Sequence, residues 1–301
     1  MIKAVIEIGS NSLKALLFTT EGGFPQPLAG RVEISRLAEG LAKTGYISPL
    51  AFQRNLAAFA ELLSWCEEHE AKIIRVVATM ALRTAENRDE FIGSIWHEHH
   101  LPVTVLSGAQ EARLSRFGAL LDLPETLAPE QEILTFDTGG GSTEFCIGTY
   151  AHISKCFSLD IGAHYLLNRF ANTDPISDGD YDSLCHFVSS GLQPHLANLH
   201  PVWMIGVGGT PVSLYRIHQN RQAIPAGARQ ELKLEDLHSL IELFRSMPDA
   251  QRKLISGLPA ERSDTILFGA VIVKSVLELL AMPSFIVSNN GLRHGVMLEM
   301  G

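Results

Sequence analysis

Phe136-Asp137-Thr138-Gly139-Gly140-Gly141-Ser142-Thr143-Glu144 is the stretch whose reading decides the fold. An apolar strand, Glu132 to Asp137, ends on a carboxylate, turns through three glycines and returns as a second strand, Glu144 to Gly148. Glycine lacks a side chain and accepts positive φ, so three in a row let the backbone curl until successive N–H groups point at one anion. The same order stands 130 residues earlier, where Glu7-Ile8-Gly9-Ser10-Asn11-Ser12 lies between the strand patterns Ile2 to Ile8 and Leu13 to Thr19. The spacing predicts a duplicated domain whose two turns form the jaws of a phosphate clamp. Glycine turns also serve as plain tight hairpins, and that role stays open for both.

The residues around the turns extend the reading. Ser10, Ser12, Ser142 and Thr143 add hydroxyl donors, whereas Glu7 and Asp137 are too acidic to face phosphate directly. A bridging divalent cation, Mg²⁺, resolves that conflict. A third glycine turn, Gly206-Val207-Gly208-Gly209-Thr210, follows another strand and reads equally well as a strand-to-helix connection that needs no ligand. His97, His99 and His100 cluster near one helix end, where the dipole favours histidine more readily than a metal site would.

Composition bounds the class. A chain of 301 residues, 46% apolar and 19% charged, is long enough for two domains with separate cores. Its 24 Lys and Arg stand against 33 Asp and Glu, a net charge of −9 that argues against nucleic-acid binding. No apolar run of 18 residues occurs and the sequence opens on a strand pattern, so the expectation is a cytoplasmic protein with no membrane partner. Cys66, Cys146, Cys156 and Cys185 show no C-x-x-C pair and read as reduced structural thiols.

Along the chain, strands are expected at Ile2 to Ile8, Leu13 to Thr19 and Arg31 to Ile34, followed by a helix over Leu50 to His69 that Ser48-Pro49 caps. A strand at Ile73 to Ala78, a helix at Glu86 to His97, a strand at Val103 to Leu106 and a helix at Ala109 to Leu121 complete the first half. The second half repeats the order, with its third strand at Ile153 to Ser158 and helices at Gly162 to Phe170, Gly179 to Leu192 and Ser263 to Leu280. Two more strands are expected there, at Val202 to Val207 and Ser284 to Val287. Mixed sheets covered by helices, with ligand in the crevice between two such units, is the predicted α/β architecture. The domains are placed at 1–123 and 124–301, with a last helix at about 291–301 packing back on the first.

Five ordered blocks carry a family likeness: Ile8-Gly9-Ser10-Asn11-Ser12, Ala78-Thr79-x-Ala81-Leu82-Arg83-x-Ala85, Ser107-Gly108-x-x-Glu111-Ala112-Arg113, the Asp137 to Glu144 stretch, and Gly295-Val296. The chain resembles the exopolyphosphatase and guanosine pentaphosphate phosphohydrolase (Ppx/GppA) family in its short two-domain form. That resemblance implies two ribonuclease-H-like domains of the actin, sugar-kinase and Hsp70 superfamily with a cleft between them. It implies that Glu111 activates the attacking water, that Glu7 and Asp137 hold Mg²⁺, and that Arg83 binds a phosphate oxygen. Glu144 would help place metal or water. Gly9, Ser10, Asn11 and Ser12 would cradle phosphates together with Gly139, Gly140, Gly141, Ser142 and Thr143. Gly208, Gly209 and Thr210 match the segment that approaches a nucleotide in related kinases.

Two departures stand out: Glu7 replaces the more usual Asp, and Asn289-Asn290 replace a more usual Asp-Gly ahead of Leu292-Arg293-His294-Gly295. The implied reaction is Mg²⁺-dependent hydrolysis of a terminal phosphoanhydride of inorganic polyphosphate, with guanosine pentaphosphate as the alternative substrate and a homodimer as the expected assembly. A phosphotransferase of the same fold and a non-catalytic polyphosphate or alarmone sensor are the competing classes. Read from residues alone, Glu111 could instead be a helix-first-turn acid and Arg83 a surface ion-pair partner.

Overall fold

The computed structural model describes residues 1–123, 128–225 and 229–300. The first stretch runs β1 (Ile2–Ile8), β2 (Ser12–Thr19), β3 (Gln26–Ile34), α1 (Leu41–Thr44), α2 (Pro49–Glu68), β4 (Lys72–Ala78), α3 (Met80–Thr84), α4 (Arg88–His99), β5 (Val103–Val105) and α5 (Gly108–Ala119). There follow β6 (Ile133–Thr138), β7 (Thr143–Gly148), β8 (Ile153–Leu159), α6 (Ala163–Phe170), α7 (Asp178–Leu196), β9 (Trp203–Val207) and α8 (Gly209–Gln222). Last come β10 (Glu231–Lys233), α9 (Leu234–Arg245), α10 (Asp249–Arg252), α11 (Ile266–Leu279), β11 (Ser284–Val287) and α12 (Leu292–Glu299).

Two compact units result, Met1–Gly118 with Asn290–Gly301, and Ala119–Asn289. The break falls at Gly118 and not at residue 123, because Ala119, Leu120 and Leu123 pack on Ile133, Ile205 and Ile286 of the second unit. Pro124, the expected start of the second domain, lies outside the described residues.

The first unit has a five-stranded mixed sheet in the order β3-β2-β1-β4-β5. Antiparallel hairpins join the first three strands, and β4 and β5 add in parallel through helical crossovers. The second unit repeats that order as β8-β7-β6-β9-β11 and adds β10 at the far edge. Both units are therefore α/β with the ribonuclease-H-like strand order.

Strand alternation decides which face each acid joins. In β1, Ala4, Ile6 and Ile8 pack with Phe59, Leu62, Phe91 and Ile95 of α2 and α4. Val5 faces the other way with Leu16 and Phe18 of β2, where Leu114 of α5 and Leu292, Val296 and Met297 of α12 cover it. Glu7, two residues on from Val5, shares that second face. In the second unit Leu134 and Phe136 of β6 enter a core with α6, α7 and α11, and Asp137 points to the opposite face with Ile133.

One sequence expectation is corrected. Cys146 and Cys156 are not separate thiols: they stand directly opposite in the β7–β8 ladder and are bonded as a disulfide. Register, which spacing alone does not reveal, brings them together. Cys66 and Cys185 are free. Among the described residues no helix is long and apolar enough to cross a membrane.

Candidate active site

The glycine hairpin between β6 and β7 is held from behind by α6. Gly139 N–H donates to the Ser142 carbonyl at 3.0 Å, closing the turn. The first N–H groups of α6 then donate back to the loop, Ala163 to the Gly139 carbonyl at 3.0 Å and His164 to the Gly140 carbonyl at 2.7 Å. A helix start leaves its first N–H groups without intrahelical partners, and here the loop supplies the acceptors. In a planar trans peptide the C=O and the following N–H point in opposite directions. Two carbonyls turned toward α6 therefore turn the N–H groups of Gly140 and Gly141 away from it, which is the arrangement an anion requires. Thr143 contributes no hydroxyl to that front, because its side chain donates to the Ile161 carbonyl at 2.6 Å.

The β1–β2 hairpin follows the same plan. Gly9 N–H donates to Ser12 at 3.0 Å, and the carbonyls of Ser10 and Asn11 accept from Ala38, Ser35 and Arg36. Its N–H groups at Asn11 and Ser12 are turned opposite by the same planarity. Ser10, Ser12 and Ser142 are buried.

The carboxylates sit in different settings. Glu111 lies in the first turn of α5, which Ser107 and Gln110 close as a reciprocal capping box, with bonds of 2.8 and 3.3 Å. It is 7% exposed and accepts from Arg83 at 2.8 Å, while the same Arg83 nitrogen donates to the Leu106 carbonyl at 3.0 Å. Arg83 is thus a fixed partner of Glu111. Asp137 and Glu144 are cross-strand partners on one face of the β6–β7 pair, and Ser158 of β8 donates to Glu144 at 2.7 Å. Glu7 is 6% exposed; one oxygen lies 2.6 Å from the Lys14 ammonium and the other 3.5 Å from Nε of Arg293. Sequence reasoning gives neither cation a role, although Lys14 occupies the position that Glu144 holds in the second hairpin.

These settings test the expected Mg²⁺ site. Two carboxylates side by side are a hard-oxygen set that suits Mg²⁺, which commonly takes one or two protein acids plus water and substrate phosphate. Asp137 with Glu144 fits that description. Glu7 does not, since both its oxygens already face cations. Among the described residues no group of three or more His, Cys, Asp or Glu could hold a metal, the histidines at the end of α4 included.

The third glycine turn has a packing explanation. Gly208 has φ of 89°, and the volume a Cβ would need there is taken by the Asp137 carboxylate. At Gly209 the Arg262 guanidinium fills the corresponding space. The turn thus joins Asp137 to the start of α8, with Thr210 buried in its first turn.

His294 stands beside the Glu7 cluster, 8% exposed, with no hydrogen-bond partner for Nδ1 among the described residues. Burial, with the Arg293 charge added and Glu7 opposing, pushes its imidazole down to about 4. The folded chain then keeps His294 neutral where the unfolded chain, with a pKa of about 6.5, binds a proton. Its contribution to stability is complete above pH 6.5 and is lost as the pH falls toward 4, a change of about 3 kcal/mol. Urea unfolding at pH 7 and at pH 5 checks this: His294→Gln is expected to flatten the acid-side decline relative to the parent chain.

The model of the Ppx/GppA phosphatase family matches residues 16–301. The chain is 29% identical to exopolyphosphatase 2 of Mycobacterium tuberculosis, over 99% of this chain and 98% of that one. It is 26% identical to a bifunctional 3-dehydroquinate synthase/phosphatase of Fusobacterium nucleatum, over 99% of this chain but only 46% of that longer protein. Among solved structures it is similar to an exopolyphosphatase from Cytophaga hutchinsonii, with a TM-score of 0.90 at 26% identity, covering 100% of this chain and 97% of the other. With a family match over nearly its whole length and the glycine hairpins and buried acid in their expected elements, the chain belongs to the Ppx/GppA phosphatase family.

Proposed function

We propose that the protein is an exopolyphosphatase that hydrolyses the terminal phosphoanhydride of inorganic polyphosphate and releases orthophosphate. The observation that carries this reading is Glu111, a buried carboxylate anchored by Arg83 instead of lying loose on a helix surface. A phosphoryl group in flight needs little from a protein beyond a positioned nucleophile and neutralised oxygens. Glu111 takes a proton from water, the water oxygen bonds to the terminal phosphorus, and the bridging P–O bond breaks with its electron pair going to the shortened chain. Arg83 orients Glu111 for that transfer. Within each unit the outward N–H groups of the glycine turn, those of Gly140 and Gly141 in one and of Asn11 and Ser12 in the other, are donors for phosphate oxygens. Mg²⁺ held by Asp137 and Glu144 would add charge neutralisation at those oxygens.

The deciding experiment measures phosphate release from long polyphosphate and from guanosine pentaphosphate side by side, with and without Mg²⁺. Faster release from polyphosphate, dependent on Mg²⁺, is expected. Preference for the nucleotide would reassign the substrate. Transfer to an added acceptor with no release in its absence would make the protein a phosphotransferase, and tight binding without turnover would make it a sensor.

A further inference from the structure

The two glycine hairpins correspond position by position, yet their chemistry is opposite at one pair. Glu7, Gly9, Ser12 and Lys14 match Asp137, Gly139, Ser142 and Glu144 at a constant offset of 130. Both turns close through the same 3.0 Å bond, and Glu7 pairs with Lys14 in the ladder as Asp137 pairs with Glu144. The second hairpin thus sets acid beside acid, and the first sets acid beside ammonium.

Two adjacent carboxylates invite a cation between them. A carboxylate that already faces Lys14 at 2.6 Å and Arg293 at 3.5 Å does not. A metal at Glu7 would have to displace a part-buried ion pair, and removing one partner of such a pair leaves a costly uncompensated charge on the buried carboxylate. Arg293 is anchored separately, donating to the Ala15 carbonyl at 2.8 Å. Lys14 and Arg293 thus bring two positive charges to the carboxylate beside the first glycine turn.

We propose that Glu7 is a positioning residue: it fixes Lys14 and Arg293 beside the Gly9–Ser12 turn as the built-in counter-charge for phosphate, and it holds no metal. The proposal rests on the phosphoanhydride reading above. It confines divalent-metal binding to Asp137 and Glu144.

The test uses the full chain and two readouts that need no turnover. Mn²⁺ binding is followed by electron paramagnetic resonance without substrate, and inorganic tripolyphosphate binding by calorimetry in metal-free buffer. Glu7→Gln is expected to keep Mn²⁺ affinity within about twofold and to weaken tripolyphosphate by about tenfold, matching Lys14→Gln. Asp137→Asn is expected to lose Mn²⁺ affinity by about tenfold or more. An equal loss of Mn²⁺ affinity in Glu7→Gln and Asp137→Asn would overturn the proposal. So would unchanged tripolyphosphate binding in Glu7→Gln when Lys14→Gln is weakened. Should Glu7→Gln fail to fold, Glu7→Asp withdraws the acid from Lys14 by one carbon and is judged by the same two outcomes. A chain that binds as expected but hydrolyses nothing fails the functional reading alone.

Discussion

Glu111→Gln is expected to lower kcat for phosphate release by roughly 10²- to 10⁴-fold, the usual worth of a general base. Tripolyphosphate binding should change by no more than about twofold, because a loss confined to the proton transfer leaves ground-state binding in place. The substitution is nearly isosteric, and the amide oxygen can still accept from Arg83, which donates at 2.8 Å in the parent chain. A structural role for Glu111 would show differently, as a fall in melting temperature with kcat largely kept. Steady-state kinetics beside thermal unfolding separates the two outcomes, and retained turnover would remove Glu111 from the mechanism.

The second large effect is expected at Gly162, which caps α6 behind the Gly139–Gly141 turn. A Cβ there would come within 2.5 Å of the Gly141 and Ser142 nitrogens. Those atoms belong to the loop backbone, so no flexible side chain can swing aside. Forcing a methyl group into a packed contact costs about 1–3 kcal/mol, and the rigidity of this one places Gly162→Ala near the upper end. Relief comes only by separating the loop from α6, which breaks the bonds that turn the Gly140 and Gly141 N–H groups outward. Lower thermal stability and a KM for polyphosphate raised by about tenfold or more are expected together. Gly179→Ala in α7 is the control: its Cβ meets open space, and replacing a helical glycine by alanine stabilises by about 0.5–1 kcal/mol.

The hairpins were legible because a motif and a period coincide. Short apolar runs of strand length give Ile2–Ile8 and Ser284–Val287 to the residue, and Ser48-Pro49 marks the start of α2. Glu111 was found through its block, whose Ser107 and Gln110 form the cap. Other elements escaped for identifiable reasons. α8 begins on a glycine turn, carries Pro211 in its first turn and then several polar residues, so no clear apolar stripe announces it. α9 does carry one, Leu237, Leu240, Ile241 and Phe244, so its period marks a helix that the expected elements omit. β3 starts at Gln26, five residues ahead of its expected start, because Leu28 and Val32 are exposed and the strand lacks the usual burial pattern.

Partnerships were harder to read than positions. Nothing in the spacing of Arg83 and Glu111 says that they touch, since they stand 28 positions apart with α4 and β5 between them. Lys14 and Arg293 reach Glu7 from a neighbouring strand and from a helix 286 residues away in sequence. Only the sheet face, fixed by the position of Glu7 two residues beyond Val5, brings those charges together. The constant offset between the hairpins does point to one of them: carried past Ser12 it lands on Lys14, where the second copy has Glu144.

Closing the first unit with α12 has a consequence for biosynthesis. Val5, Leu16 and Phe18 are translated more than 250 residues ahead of Leu292, Val296 and Met297, which cover them. Domains generally acquire structure as they leave the ribosome, the leading one ahead of the trailing one. This chain inverts that sequence: the stretch 119–289 has all its parts while the earlier-made sheet still waits, one face covered only in part by α5, for the helix that completes it.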